Sequence, residues 1–225
     1  TLYHLIFIVK IKNIMKVCIL GNGLTSLSLA KTLVNMGINV EIILNSNFEK
    51  IDKSRTLSIS KKNAAFLNSK VTNINKLSWK ISNIEIFSEN LKNEKVLNFE
   101  NNQKELFSII KNYQLINQLK KELDNNKFIT FKKVLKIKEK DLFENYNLVV
   151  NTNSNNLISK KYFYKKINKD YNSFAYTAII DHKRFKKNNT AIQIFTKNGP
   201  FAFLPISDKQ TSLVYSVRNS EEIDF

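Results

Sequence analysis

The hydrophobic pattern near the start of the chain changes from a continuous apolar run to a helical spacing and back again. Residues 17–20 are all apolar, which is typical of a parallel strand buried on both faces, and residues 40–44 predict a second strand. Between them, apolar residues follow helical spacing as far as Gly37, a natural C-terminal stop: Leu27, Leu29, Ala30, Leu33, Val34 and Met36. Residues 16–44 therefore predict one β-α-β unit.

The remainder of the chain mixes helical spacing with strand patterns. Residues 63–67 predict a short helix and residues 112–125 an amphipathic helix. Apolar runs and alternating positions predict strands at 84–87, 96–99, 128–131, 134–137, 148–150, 174–180, 191–196, 201–206 and 211–217. The pattern predicts an α/β fold, a Rossmann-like β-α-β sheet with an interleaved antiparallel sheet.

Two glycines, Gly21 and Gly23, stand between the first strand and the helix. This is the pattern of a dinucleotide-binding turn, because the first glycine permits a tight turn and the second lets the backbone approach a diphosphate. The amides of the first helical turn, from Leu24 onward, then point at the phosphate oxygens, and Ser26 takes the place of a third glycine. We expect Gly21, Gly23, Leu24 and Ser26 to bind the cofactor. The alternative is a glycine turn with a purely structural role.

The end of the second predicted strand lacks the acidic residue that usually accepts hydrogen bonds from the adenosine ribose. Leu44 and Asn45 stand there, and Glu41 lies earlier, inside the strand. The amide oxygen of Asn45 can accept such a hydrogen bond, more weakly than a carboxylate would. We therefore expect Asn45 to contact the cofactor and the affinity to be reduced.

The charge of the chain is strongly positive, with a formal net value of +17 over 225 residues. Such a balance suggests nucleic acid or an acidic membrane surface as a partner. Here the lysines are scattered among Asn and Ile, and pairs such as Lys61-Lys62 and Lys186-Lys187 do not form the clustered tract of a nucleic-acid-binding arm. The pattern favours a solvated basic surface, and no nucleic-acid partner is expected.

Cysteine and histidine are too few for a metal site or a disulfide framework. Cys18 is the only cysteine and falls inside the first predicted strand, which indicates a reducing compartment. His4 and His182 lack partners at ligand spacing, so no metal is expected. A Ser-His-Asp mechanism has no support either, because no Gly-x-Ser-x-Gly elbow occurs.

Residues 1–14 precede Met15 and the first predicted strand. Their apolar stretch, residues 5–9, is too short to span a bilayer, and no cleavage pattern follows it. We expect residues 1–14 to be a non-native or disordered leader, with Met15 as the native start. Deleting residues 1–14 tests this, since a marked loss of folded protein would show that they are native.

Further motifs follow the glycine turn in order. Residues 54–60 contain Arg55, residues 77–79 are Leu-Ser-Trp, and Asn112 begins the predicted amphipathic helix. Later, residues 199–206 are Gly-Pro-Phe-Ala-Phe-Leu-Pro-Ile. In order and spacing, these motifs and the glycine turn resemble those of the FAD-dependent aromatic-ring hydroxylases of the para-hydroxybenzoate hydroxylase class, and within it the ubiquinone-biosynthesis hydroxylases.

The resemblance implies roles for individual residues. Arg55 would lie against the flavin, and Asn112 would approach FAD. Where the family carries Gly-Ala-Asp-Gly after a buried strand, this chain has Asn-Thr-Asn-Ser at 151–154, so Asn153 takes the place of the aspartate at the cofactor. The wall of the substrate pocket would include three residues of the late motif: Phe201, Phe203 and Pro205.

The resemblance also implies a domain division. Residues 15–70 and 105–160 would form an incomplete FAD-binding domain, and residues 71–104 and 161–225 a substrate-binding β-sheet region. The family's later Gly-Asp segment would lie downstream of this sequence. We therefore expect an N-terminal fragment of a longer enzyme that is inactive alone.

The implied reaction is hydroxylation of an aromatic ring by O₂, in which reduced FAD forms a C4a-hydroperoxide and NAD(P)H supplies the electrons. A small aromatic or quinone-precursor substrate is implied, such as a precursor of ubiquinone. The resemblance also implies a cytoplasmic location and association with the inner membrane or with a biosynthetic complex. Two alternatives stay open: a degenerate paralogue serving as a scaffold or binding subunit without tight FAD binding, and an NAD(P)-dependent reductase.

Overall fold

The computed structural model describes residues 15–44, 51–91, 94–100, 104–134, 138–165, 167 and 169–218. The chain divides into two compact units. The first contains residues 1–50 and 116–166, and the second contains residues 51–115 and 167–225.

The first unit is built on a parallel sheet of four strands. Its order is β8 (Ile129–Lys133), β2 (Asn39–Leu44), β1 (Lys16–Leu20) and β9 (Leu148–Asn151). Residues 17–20 expose 1% or less of their surface. The continuous apolar run thus forms a parallel strand buried on both faces, as the sequence predicts.

Helices cover this sheet. α1 (Leu24–Asn35) packs against β1 and β2, and its buried residues include Leu27, Ala30 and Val34. By strand alternation, Cys18, Leu20 and Ile43 share a sheet face, and Leu142 of α4 (Glu139–Asn145) packs on it. Two more helices complete the unit: α3 (Asn112–Asp124), which begins in the second unit, and α5 (Leu157–Tyr162), which follows β9.

The second unit contains a sheet of six strands. Its order is β10 (Ser173–Asp181), β13 (Gln210–Arg218), β12 (Gly199–Pro205), β11 (Thr190–Thr196), β5 (Asn83–Ser88) and β6 (Lys95–Glu100). β11 and β5 pair in parallel, and the other pairs in this sheet are antiparallel. The separate sheet that the alternating segments predict is therefore confirmed, and it is antiparallel except between β11 and β5.

A smaller sheet of three antiparallel strands lies in the same unit. It consists of β3 (Thr56–Ser60), β7 (Phe107–Lys111) and β4 (Trp79–Ile81), in that order. Helix α2 (Lys61–Phe66), a π-helical turn (Leu67–Val71) and a 3₁₀ turn (Glu89–Leu91) belong to the connections. The two sheets of the second unit share one core cluster, formed by Ile81, Ile109, Ala191 and Ile206.

The proposed leader and one predicted strand fall at least partly on residues that the structure does not describe. The proposed leader, residues 1–14, lies outside the described residues, as do residues 135–137 of the strand predicted at 134–137. Across the described ranges, every helix is too short or too polar to cross a bilayer.

Candidate functional site

The turn after β1 is tight because a neighbouring side chain occupies the space beside Gly21. Its φ angle is +129°, a conformation that L side chains rarely adopt. A Cβ atom here would overlap the Thr152 hydroxyl oxygen and lie 3.1 Å from Ser26 Oγ. Both the backbone angle and the available space therefore require glycine.

Gly23, in contrast, faces open space. It is the N-cap of α1 with φ −80° and ψ −179°, and a Cβ atom there would meet no atom of the described chain within 4 Å. No side chain caps this helix end, and no acidic residue lies in the first turn of α1. The amides of that turn, beginning with half-buried Leu24, can therefore donate to an anion approaching past Gly23, where the helix dipole also favours it.

Ser26 lies behind the turn. Its side chain is fully buried, and its hydroxyl lies 2.6 Å from that of Thr152. The Thr152 hydroxyl donates to the Leu20 carbonyl at 3.0 Å. Sequence reasoning missed Thr152, since its contact with Leu20 spans 132 positions and no local pattern marks it.

Asn153 lies in the loop between β9 and α5, beside the glycine turn. Its backbone amide donates to Asn151 Oδ1 at 3.1 Å, and its own Oδ1 accepts from the Asn155 amide at 2.9 Å. Its carbonyl accepts from the Ser159 hydroxyl at 2.7 Å. The Asn153 side chain thus stabilises its own loop, and Gly21, Ser26, Thr152 and Asn153 come together in the first unit. Asn45, expected at the ribose, lies outside the described residues.

Arg55 and Asn112 meet in the second unit. The Asn112 backbone amide donates to the Arg55 carbonyl at 3.0 Å, which extends the pairing of β3 with β7. The Arg55 side chain is exposed, whereas Asn112 is 8% exposed at the start of α3. Upstream, Asp52 accepts hydrogen bonds from both the backbone amide and the hydroxyl of Ser54 at 2.8 and 2.9 Å, which fixes the chain leading to Arg55.

The three expected pocket residues lie on β12. By alternation Phe201 and Phe203 share one face of the sheet, with ring centroids 4.6 Å apart, and Tyr215 of β13 lies 5.2 Å from Phe201. Leu204 points to the other face and joins the cluster between the two sheets. Pro205 is buried at the end of the strand. The half-buried aromatic face offers apolar contact to a ring.

An ion-pair network around the buried Glu41 occupies another part of the first unit. Glu41 is 6% exposed, and its carboxylate accepts from Lys16 at 2.8 Å and from the Tyr146 hydroxyl at 2.6 Å. Lys132 lies 3.8 Å away. These residues line a cavity of about 300 Å³. Because Lys16 begins β1, whereas Gly21 follows its end, this network is separate from the glycine turn.

The network affects the pKa values of Glu41 and of the nearby Cys18. Burial would raise the pKa of Glu41, but the hydrogen bonds from Lys16 and Tyr146 and the charges of Lys16 and Lys132 lower it below the ordinary 4.5. Burial and the Glu41 charge raise the pKa of the Cys18 thiol to about 12, so Cys18 stays protonated and is a poor nucleophile. Among the described residues, no group of three His, Cys, Asp or Glu side chains is placed to hold a metal ion.

No protein-family model matches the chain. No curated protein matches it either. Solved structures do match, over most of its length and at low sequence identity. p-Nitrophenol 4-monooxygenase PnpA from Pseudomonas putida has a TM-score of 0.71 at 11% identity, covering 93% of this chain and 59% of that one.

Two further solved structures give the same result. Klebsiella pneumoniae HpxO, complexed with FAD and uric acid, has a TM-score of 0.70 at 12% identity, covering 93% of this chain and 58% of its own. 2,6-Dihydroxypyridine-3-hydroxylase from Arthrobacter nicotinovorans has a TM-score of 0.69 at 10% identity, covering 94% of this chain and 58% of its own. The chain therefore has the fold of FAD-dependent monooxygenases and spans about 60% of the length of these structures.

Proposed function

We propose that this chain belongs to an FAD-dependent monooxygenase that hydroxylates an aromatic ring. The observation that carries the proposal is the open, uncapped start of α1 behind Gly21, in a chain whose fold is shared with a structure complexed with FAD. An NAD(P)-dependent reductase is disfavoured, because the fold agreement extends through the six-stranded sheet of the second unit.

The open space beside Gly23 supports the binding of a diphosphate such as that of FAD. In this proposal the amides following Gly23 bind the diphosphate, and the Gly21 turn leaves the backbone free to approach it. Asn153 and Asn45 are proposed near the nucleotide, and Arg55 supplies a positive charge to the flavin portion, near Asn112. When bound and reduced by NAD(P)H, the cofactor would activate dioxygen for transfer of one oxygen atom to the substrate.

The proposed substrate wall is the aromatic face of β12. Phe201 and Phe203 would stack against an apolar ring and exclude water from it. A quinone precursor, such as a precursor of ubiquinone, suits such a surface because it combines an aromatic ring with apolar substituents. Residues 15–70 and 105–160 are proposed as the FAD-binding part, and residues 71–104 and 161–225 as the substrate-binding part.

The test is the visible spectrum of the protein after purification with excess FAD. We expect a stoichiometric flavin absorbance from the longer gene product that contains this chain, and NAD(P)H oxidation that depends on an aromatic substrate. Flavin binding without any such oxidation would contradict the proposed reaction. Binding of a nicotinamide cofactor without flavin would favour the reductase.

A scaffold without tight FAD binding is the second candidate function. It is favoured by the loop at residues 151–156, where Asn153 uses its side-chain oxygen on the Asn155 amide, and by Leu44 at the end of β2. A folded, colourless product that FAD cannot reconstitute would support the scaffold over the enzyme.

We also propose association with an anionic membrane surface. Phe163 and Tyr164, which follow α5, are 63% and 69% exposed and adjoin Lys160, Lys161 and Lys165. Exposed aromatic rings beside lysines suit the interface of an anionic bilayer. Sedimentation with vesicles tests this: we expect binding to anionic but not to neutral phospholipid, weakened by salt. Equal recovery in the supernatant with both vesicle types would contradict it.

A further inference from the structure

Two hydroxyl groups and one carbonyl form a directed hydrogen-bond chain behind the glycine turn. The Leu20 carbonyl accepts both the backbone amide and the hydroxyl of Thr152, each at 3.0 Å. Since a hydroxyl has a single proton, the Thr152 hydroxyl oxygen can only accept in its 2.6 Å contact with Ser26. Ser26 is therefore the donor. We call this set, Ser26, Thr152 and the Leu20 carbonyl, the hydroxyl clasp.

The hydroxyl clasp connects β9 to β1 and α1, which lie more than 120 positions earlier in the sequence. Ser26 lies in the first turn of α1, Leu20 ends β1, and Thr152 directly follows β9. The Thr152 hydroxyl occupies the space that a Cβ atom at Gly21 would need. A side chain at position 21 would therefore displace the Thr152 hydroxyl from the hydroxyl clasp.

Because the Ser26 side chain is fully buried, it cannot contact a ligand that approaches from solvent. A serine in place of a third glycine also adds two heavy atoms between helix and strand. Its hydrogen bond to Thr152 fixes the separation that these atoms impose. Loss of the Thr152 hydroxyl would leave the buried Ser26 hydroxyl without its acceptor, whereas loss of the Ser26 hydroxyl would leave Thr152 bonded to the Leu20 carbonyl but no longer to α1.

We propose that the hydroxyl clasp is the positioning device of the turn, holding the amides of the first turn of α1 where they receive a diphosphate. The ligand part of this inference rests on the proposed function. Ser26 and Thr152 act through the backbone, and neither touches the ligand. Their effect is therefore on the affinity for any dinucleotide or nucleoside diphosphate that uses the turn.

Binding of FAD and of ADP to five variants, made in the longer gene product that contains this chain, tests the inference: four single variants and the double variant Ser26→Ala/Thr152→Val. Thr152→Val removes one hydroxyl at constant shape, Ser26→Ala removes the other, and Thr152→Ser keeps the hydroxyl. Thr32→Val is the matched control, because the Thr32 hydroxyl also donates to a carbonyl, that of Ser28 at 2.9 Å, but lies further along α1. Flavin fluorescence gives the affinity for FAD, and calorimetry that for ADP.

We expect Thr152→Val and Ser26→Ala each to weaken FAD and ADP binding about 3- to 10-fold, the effect of one lost hydrogen bond. The double variant should be no worse than the worse single variant, because the two groups act as one unit. Thr152→Ser should stay within about twofold of the wild type, as should Thr32→Val. Unchanged affinities in Thr152→Val and Ser26→Ala overturn the inference, as does equal loss in Thr32→Val.

Hydrogen exchange in the absence of any nucleotide separates this inference from the proposed function. The Gly21 amide donates to the Ile43 carbonyl at 3.3 Å, and the Thr152 amide to the Leu20 carbonyl at 3.0 Å. We expect both amides to exchange faster in Thr152→Val and Ser26→Ala, and unchanged in Thr32→Val. If the wild type binds neither FAD nor ADP, the proposed function fails. Unchanged exchange in Thr152→Val then overturns the hydroxyl clasp, and faster exchange supports it.

Discussion

Gly21 and Gly23 differ in what surrounds them. Gly21 has a positive φ and would bring a Cβ atom into Thr152, whereas Gly23 has φ −80° and open space beside it. The first glycine therefore serves the fold, and the second keeps the approach to α1 clear. Substitutions at Gly21 should therefore affect stability, and substitutions at Gly23 should affect binding.

Gly21→Ala should lower the free energy of unfolding by about 2–4 kcal/mol, because a side chain with positive φ adds strain and displaces Thr152. Gly23→Ala is the control and should change it by less than about 1 kcal/mol, since its backbone angles are accessible to alanine. Urea denaturation of both variants measures the difference. Equal losses in the two variants would show that the space beside Gly21 does not matter.

Glu41 is the residue whose protonation bears most directly on stability. Its carboxylate receives hydrogen bonds from Lys16 and Tyr146 while nearly buried. Because these contacts lower its pKa in the folded state, the stabilisation is fully present above the ordinary pKa of 4.5. It is lost as the pH falls through the lowered value in the folded protein.

Glu41→Gln should lower the free energy of unfolding at pH 7 by about 1–3 kcal/mol, through loss of charge-assisted hydrogen bonds. The gap between the wild type and the variant should narrow as the pH falls below the ordinary value of 4.5. Urea denaturation between pH 7 and about pH 3 checks this. A gap that stays constant with pH would rule out the charge of Glu41 as the cause.

A matched control for this measurement is Glu85→Gln. Glu85 pairs with Lys95 at 2.5 Å between β5 and β6, where both side chains are far more exposed than that of Glu41. An exposed pair of this kind contributes less than about 1 kcal/mol. A loss as large as that in Glu41→Gln would show that burial is not the distinguishing factor.

Helix α5 is short, so its N-cap carries much of its stability. The Asn156 side chain accepts from the Ser159 amide at 2.8 Å and donates to Asn151 Oδ1, also at 2.8 Å. Asn151 and Ser159, the two partners of Asn156, also hydrogen-bond to the backbone of Asn153. The cap therefore couples the helix to the candidate nucleotide site.

Asn156→Ala should destabilise the protein by about 1–2 kcal/mol, the usual effect of losing a cap. Asn156→Asp keeps the oxygen that accepts from Ser159 and should recover at least half of that loss. Thermal unfolding of the two variants compares them directly. If both variants unfold at the wild-type temperature, the cap does not hold α5.

Local pattern predicted the elements whose apolar residues are continuous or regularly spaced. Three patterns of this kind lie within single elements: the apolar run of β1, the helical stripe of α1, and the alternation in β5 and β6. β3 was not predicted, because only two of its five residues, Leu57 and Ile59, are apolar. The three-stranded sheet depends instead on contacts with the larger sheet, through the cluster that contains Ile81 and Ala191.

In the candidate site, too, the residues of local motifs were predicted and those that depend on distant contacts were not. Spacing alone identified Gly21 and Gly23, and the family resemblance selected Arg55 and Asn112, which the fold brings together by one backbone hydrogen bond. Thr152 was missed, because its contacts with Leu20 and Ser26 join distant segments. No periodicity reports such a contact.

The two compact units divide the candidate residues between them. The first unit contains the glycine turn with Asn153, and the second contains Arg55, Asn112 and the aromatic face of β12. The chain matches monooxygenase structures along 93% of its own length but covers only about 60% of theirs. A longer product is therefore the right material for catalysis, whereas the first unit holds the complete glycine turn.

Titration of the longer gene product that contains this chain with FAD, followed by flavin fluorescence and repeated with Gly23→Val, is the most direct test of the proposed dinucleotide site. We expect saturable binding by the wild type, and at least about tenfold weaker binding by a Gly23→Val variant that keeps its fold, because the new side chain enters the open space where the diphosphate would lie. Excess ADP should displace the FAD. Absence of saturable binding by the wild type, or equal binding by the variant, would contradict a cofactor site at this turn.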